Sequence, residues 1–248
     1  MKFLLGWLLG CSFLPLAAQR DSLFERHQFD SLPYRLLRPL KVEPGKRYPL
    51  VIFLHGSGER GTDNELQLKY VAPLFLNDTA RAQFPCFVLL PQCPATDRWV
   101  NVAWSSPQHT QRPQPTPSLA KVMELIGALK KELPINPKRV YLGGLSMGGF
   151  GTWELLARQP YVFAAAVPIC GGADERTAPR IKHTPLWAFH GAMDNVVPPE
   201  RSRNMIAALR KAKGKPRYTE YPLVGHDSWT NALAEPELLP WLFAQRLK

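Results

Sequence analysis

The sequence predicts an α/β protein: a mostly parallel central sheet with helices on both faces. Three observations predict it. Short, continuously apolar runs recur along the 248 residues, at Tyr48–Leu54, Phe84–Leu90, Val140–Leu142, Phe163–Cys170 and Leu186–Gly191. Strands of that kind belong to sheets buried on both faces. Stretches of helical periodicity stand between them. The residues able to do chemistry fall just after strands, where open α/β sheets hold their ligands.

Composition bounds the rest. Hydrophobic residues make up 45% of the chain, which suits one globular domain with a sizeable core. The 25 prolines predict long, stiffened surface loops, and no internal repeat is visible. The net charge of +11 would suit an anionic partner, but the basic residues are spread out. Their densest cluster, Arg210–Lys215, reads as a solvated helix end, so no nucleic acid is expected.

Residues 1–18 read as an export signal. Lys2 supplies a positive start, Phe3–Leu16 is an apolar run too short to span a membrane, and Ala17-Ala18 offers a cleavage site. The alternative is a lipobox at Leu8-Leu9-Gly10-Cys11, with Cys11 lipidated. The apolar Phe13–Ala18 after the cysteine favours free export. Residues 19–248 then form a single catalytic domain carrying Cys86, Cys93 and Cys170. Cys86 and Cys93 bracket a strand and lie too far apart to pair. Cys93 and Cys170 end strands at one sheet edge, where a disulfide between them is the alternative to the free buried thiols expected there. No metal-ligand spacing appears, and neither metal nor cofactor is expected.

Glu25–Leu40 alternates loosely, as a hairpin at the sheet margin does. Tyr48–Leu54 is a buried strand ending in His55-Gly56-Ser57-Gly58, whose glycines let backbone amides approach a ligand. Phe84–Leu90 is the next strand. Thr96–Pro117 is a long proline-rich loop carrying Trp99 and Trp104, which either contact substrate or anchor the loop. A helix follows over Ser118–Glu132, capped by Ser118, with Leu119, Val122, Met123, Ile126 and Leu129 on one face. Phe163–Cys170 and Leu186–Gly191 are strands, Glu200–Ala212 a helix, Arg217–Val224 a last strand and Leu238–Leu247 a closing helix.

The chain is organised around Arg139–Trp153. An apolar strand meets a glycine-rich turn and then a helix, and the turn holds Gly144-Leu145-Ser146-Met147-Gly148. This G-x-S-x-G pattern between strand and helix predicts a nucleophile elbow, in which a strained backbone lifts the serine hydroxyl above the sheet edge. A serine needs a base, and the base an orienting acid. Asp194 and His226 follow in the order this arrangement uses. Backbone N–H groups of Met147 and Ser57 are the expected oxyanion donors. Among rival histidines, His55 and His190 read as structural, and His27, His109 and His183 as marginal. Among rival acids, Asp174 follows the preceding strand, and Asp227 sits too near His226 in the chain. Trp229 joins Trp99 and Trp104 as a substrate-binding candidate.

Five segments carry a resemblance: Phe53–Asn64, Leu90–Pro94, Tyr141–Trp153, Trp187–Asp194 and Gly225–Thr230. Over nearly all of the mature chain the sequence resembles an α/β-hydrolase, of the secreted group allied to dienelactone hydrolases, polyhydroxybutyrate depolymerases and feruloyl esterases, which includes proteins labelled predicted peptidases. The resemblance implies an α/β-hydrolase fold and hydrolysis of a carboxylic ester through an acyl-enzyme, without a cofactor. The dienelactone branch uses a cysteine where this chain has Ser146, which argues against that substrate. No insertion after the sixth strand is long enough for a large lid, so an open site is expected. Export, an open site and loop tryptophans favour carbohydrate-linked acetyl or feruloyl esters, with a polysaccharide as the bulky partner. A general short-chain carboxylesterase, thioesterase or lysophospholipase is the alternative. A serine peptidase or a non-catalytic binding protein stands further off.

Overall fold

The computed structural model describes residues 21–248, so the expected export signal and Cys11 lie outside the described residues. Among these residues, eight strands form one sheet in the order β1-β2-β4-β3-β5-β6-β7-β8. β1 (Phe24–Phe29) and β2 (Leu32–Leu37) make the marginal hairpin, turning at Asp30, whose φ is 51°. β2 pairs antiparallel with β4 (Phe87–Pro91). The remaining pairs are parallel: β3 (Tyr48–Leu54) with β4 and with β5 (Ile135–Leu145), then β6 (Ala165–Ile169), β7 (Trp187–Gly191) and β8 (Arg217–Tyr221) in succession.

The helices are α1 (Ala72–Leu76), α2 (Asp78–Gln83), α3 (Pro117–Glu132), α4 (Met147–Arg158), α5 (Ala178–Ile181), α6 (Glu200–Lys211), α7 (Trp229–Leu233) and α8 (Leu238–Ala244). β3 shows why its sequence is apolar throughout. Leu50, Ile52 and Leu54 enter the core on one face, with α3 and α4. Val51 and Phe53 enter the core on the other, with α1 and α8. Each fully buried leucine or isoleucine contributes about 2 kcal/mol, which is how one strand holds two helical layers.

Several boundaries move for identifiable reasons. α3 is capped by Thr116, whose hydroxyl accepts from Leu119 N, and Pro117 takes the first helical position, where a missing N–H costs nothing. The expected cap, Ser118, instead donates its hydroxyl to Asp97 Oδ2 at 2.7 Å. β4 begins at Phe87 rather than Phe84, because Phe84 closes α2 and Pro85 follows. β6 begins at Ala165, and β8 ends at Tyr221 before Pro222. Among the described residues, the segment between β6 and β7 holds only the four-residue α5 and a short 3-10 turn, too little for a large lid there.

Candidate functional site

The elbow forms where β5 ends. Ser146 has φ 53° and ψ −116°, a backbone conformation that costs an L residue of order 1–3 kcal/mol and persists only where packing enforces it. The enforcement is visible. Ser146 N donates to Ile169 O at 2.9 Å, and Phe150 N to Ser146 O at 3.1 Å. A methyl group at Gly148 would stand 1.8 Å from Leu54 O, so only glycine lets α4 start this close to β3. Ser146 is thereby held at the mouth of the sheet.

Two loops bring its partners. Asp194 lies in the turn after β7, and its Oδ1 accepts from Val196 N and Val197 N, both at 2.9 Å. His226 lies in the segment between β8 and α7. Its Nδ1 sits 2.7 Å from Asp194 Oδ2 and its Nε2 2.8 Å from Ser146 Oγ. Because Asp194 Oδ2 can only accept, Nδ1 carries the hydrogen and Nε2 is left free to accept the serine proton. Burial pushes the Asp194 carboxyl up. Hydrogen bonds from His190, His226, Val197 N and Val196 N outweigh this and hold it well below the usual range. The aspartate therefore stays ionised beside the imidazole. His190 was expected merely to pack, yet its Nε2 lies 3.2 Å from Asp194 Oδ2, with both side chains fully buried.

The rival acids are elsewhere. The Asp174 carboxylate accepts from Arg176 Nε and Nη2 at 2.9 and 2.7 Å and from Gln111 N at 2.9 Å; chiefly through Arg176 its pKa falls to about 2. Asp227 points to solvent.

The loop after β3 runs against the nucleophile: a methyl group at Gly56 would stand 3.7 Å from Ser146 Cβ. Two buried side chains set this loop. His55 donates Nδ1–H to Gly56 O at 2.6 Å and accepts from Cys93 N at Nε2, 2.9 Å. Burial lowers its pKa to about 4, so it is neutral, as that pair of bonds requires. Gln92 donates to Glu59 O at 3.1 Å and accepts from Asn64 N at 2.7 Å. On the other side, Met147 opens α4, and the first-turn N–H groups of a helix have no partner within it. Of the amides expected to receive an oxyanion, that of Met147 follows Ser146 directly at the helix start, and that of Ser57 follows Gly56, which lies against Ser146.

The three tryptophans fare differently. Trp99 is wholly buried and donates its indole N–H to His55 O at 3.0 Å, which makes it the anchor of its loop. Trp104 is half-buried, with the Arg98 guanidinium 5.4 Å from its ring centre. Trp229 stands edge-on to His226, ring centres 5.3 Å apart, and lines a cleft of ≈ 520 Å³ with Lys69, Tyr70 and Asn77. A larger cleft of ≈ 660 Å³ follows the 96–117 loop, lined by Thr96, Arg98, Asn101, Arg112, Gln114 and Glu154.

Cys86, Cys93 and Cys170 are free and buried. Cys170 adjoins the site: its Sγ, one Asp194 oxygen and one His226 nitrogen lie within 4.8 Å of one another. Burial raises the Cys170 thiol far above its ordinary value, so it stays protonated there. Among the described residues no helix is long and apolar enough to cross a membrane.

Comparison with known proteins finds a family and several relatives. The family model described as phospholipase/carboxylesterase matches residues 41–236. A protein of Oryza sativa subsp. japonica described as a probable carboxylesterase is 26% identical over 205 residues, covering 76% of this chain and 75% of its own. A bifunctional acetylxylan esterase/xylanase of Neocallimastix patriciarum is 36% identical over 80 residues, which is 31% of this chain and 11% of that one. Among solved structures, one titled as a thermostable esterase superposes with a TM-score of 0.85 at 40% identity, covering 92% of this chain; this chain spans 64% of it.

Proposed function

The chain belongs to the phospholipase/carboxylesterase family, and from that premise we propose that it hydrolyses carboxylic esters with Ser146 as nucleophile, His226 as general base and Asp194 as the orienting acid. The observation that carries this is the unbroken Ser146–His226–Asp194 chain at 2.8 and 2.7 Å. His226 Nε2 takes the hydroxyl proton as Ser146 Oγ attacks the ester carbonyl. The oxyanion forms against the amides of Met147 and Ser57. His226 then returns the proton to the leaving alcohol, giving an acyl-enzyme. Water, deprotonated by the same imidazole, releases the acid.

The substrate class in this reading is an acetyl or feruloyl ester carried on carbohydrate. Trp229 beside His226 supports it: its ring stands 5.3 Å from the imidazole, where an indole could stack on a sugar or a feruloyl ring. The similarity to the acetylxylan esterase/xylanase supports it also. Export by residues 1–18 would bring the enzyme to such polymers, and mass analysis of the mature N-terminus tests that step.

The test of function compares the protein with Ser146→Ala. Hydrolysis of p-nitrophenyl acetate and fluorophosphonate labelling should both vanish in the variant; retention of either removes Ser146 from the role. Release of acetate or ferulate from decorated xylan should exceed release from esters of long acyl chains. The opposite ranking would favour the general carboxylesterase or lysophospholipase.

A further inference from the structure

We propose that His190 is a positioning residue for this reaction, holding the same Asp194 carboxylate oxygen that meets His226. The inference rests on the triad reading above. His190 ends β7, and the turn that follows it brings Asp194 back over its ring. Its side chain is completely buried, so it touches no substrate.

The hydrogen bonds determine where its protons are. Nε2 faces two oxygens that only accept, Val197 O at 3.0 Å and Asp194 Oδ2 at 3.2 Å. Nε2 therefore carries a hydrogen, which bonds Val197 O while the same N–H edge stands 3.2 Å from Asp194 Oδ2. Nδ1 lies 2.8 Å from Ser202 Oγ, and that hydroxyl also lies 3.1 Å from Gly171 O. Ser202 thus stands between the far edge of the ring and the loop after β6, with one hydroxyl hydrogen for the two contacts. One imidazole spans α6, β7 and the Asp194 turn, three elements that must keep register for the carboxylate to meet His226.

Asp194 is left no freedom. Oδ1 is held by two backbone amides, and Oδ2 lies between two imidazole N–H groups. Without His190, Oδ2 loses its second imidazole neighbour, and the carboxylate, still held at Oδ1 by the two amides, can shift at Oδ2. The imidazole of His226 would then lose the alignment that aims Nε2 at Ser146. Misplacement of this size at a reacting group is worth roughly 10²-fold in rate. Because nothing in this chain of contacts reaches the substrate, the loss should fall on kcat and leave KM in place.

The experiment uses His190→Leu and His190→Gln in the full protein, with p-nitrophenyl acetate as substrate. Glutamine keeps an N–H near the position of Nε2; leucine fills similar space without one. The leucine variant should lose about 10²-fold in kcat with KM unchanged, and glutamine should recover most of that loss. The downfield proton resonance of His226 Nδ1–H should broaden or vanish in the leucine variant and persist in the glutamine one. Equal kcat in the two variants, per folded molecule by near-ultraviolet circular dichroism, would make His190 a packing residue and overturn the proposal. Should the leucine variant fail to fold, Ser202→Ala frees Nδ1 without touching the carboxylate. An unchanged kcat and an unchanged resonance there would overturn it equally. Activity surviving in Ser146→Ala would instead remove the triad reading on which the inference stands.

Discussion

Ser146 Oγ lies 2.8 Å from His226 Nε2 across a sequence separation of 80 residues. The sheet makes this meeting possible. β5, β6, β7 and β8 are parallel and adjacent, so the segments leaving their C-terminal ends gather at one edge. Ser146 leaves β5, Asp194 leaves β7 and His226 follows β8.

Asp194→Asn should lower kcat by roughly 10³–10⁴ while the protein stays folded. The amide cannot fix the His226 tautomer or stabilise an imidazolium. Steady-state kinetics beside thermal unfolding checks this; a loss below tenfold would mean that another group orients His226.

Gly148→Ala should destabilise by more than about 3 kcal/mol, because its methyl group would meet a strand carbonyl that cannot give way. Gly58→Ala, in the loop after β3, meets nothing within 4 Å and should stay within about 0.5 kcal/mol of the parent. Urea unfolding of the two variants provides the comparison.

Stability should fall as pH drops from about 6.5 towards 4. His55 is buried neutral with a pKa of about 4, and His109, by burial first and the nearby Arg201 second, is also lowered to about 4. Both have folded values below their unfolded ones, so their stabilisation is complete above the unfolded pKa and is lost as the unfolded chain takes up protons on acidification. At pH 5 the loss is on the order of 2 kcal/mol for His55. Protonation at Nε2 would also expel Cys93 N from its acceptor. A His55→Gln variant should show a flatter decline in melting temperature between pH 7 and 5; an unchanged slope would count against this origin.

Arg158 should prove structural for the cleft. Its Nε and Nη2 donate to Glu154 Oε1 at 2.9 and 2.6 Å, while Nη1 reaches Pro113 O and Nη2 reaches Arg112 O. Arg158→Ala would leave Glu154 buried without its cation and free the 96–117 loop, costing roughly 3 kcal/mol. Faster proteolysis between Gln108 and Gln114 should accompany it. Unchanged cleavage would show that other contacts hold the loop.

The sequence by itself determined the strand–helix alternation, the elbow and the order of Ser146, Asp194 and His226. Those features are local: apolar runs, glycine spacing and turn chemistry act over a few residues. Helix starts were less legible. Thr116, Pro117 and Ser118 all suit the start of α3, and the choice turned on Asp97, 21 residues away from Ser118, claiming the serine hydroxyl. Only the tertiary structure decided what the buried polar residues do. For Trp99 the sequence left substrate contact and a loop anchor both open, and the indole N–H is committed to His55 O. Asp174 and Asp194 both follow strands, and they part only because Arg176 claims one and two imidazoles the other. His190 looked like a core histidine. Its bond to Asp194 depends on how the turn after β7 folds back over the ring, and no spacing along a chain encodes that closure before the strands on either side have paired.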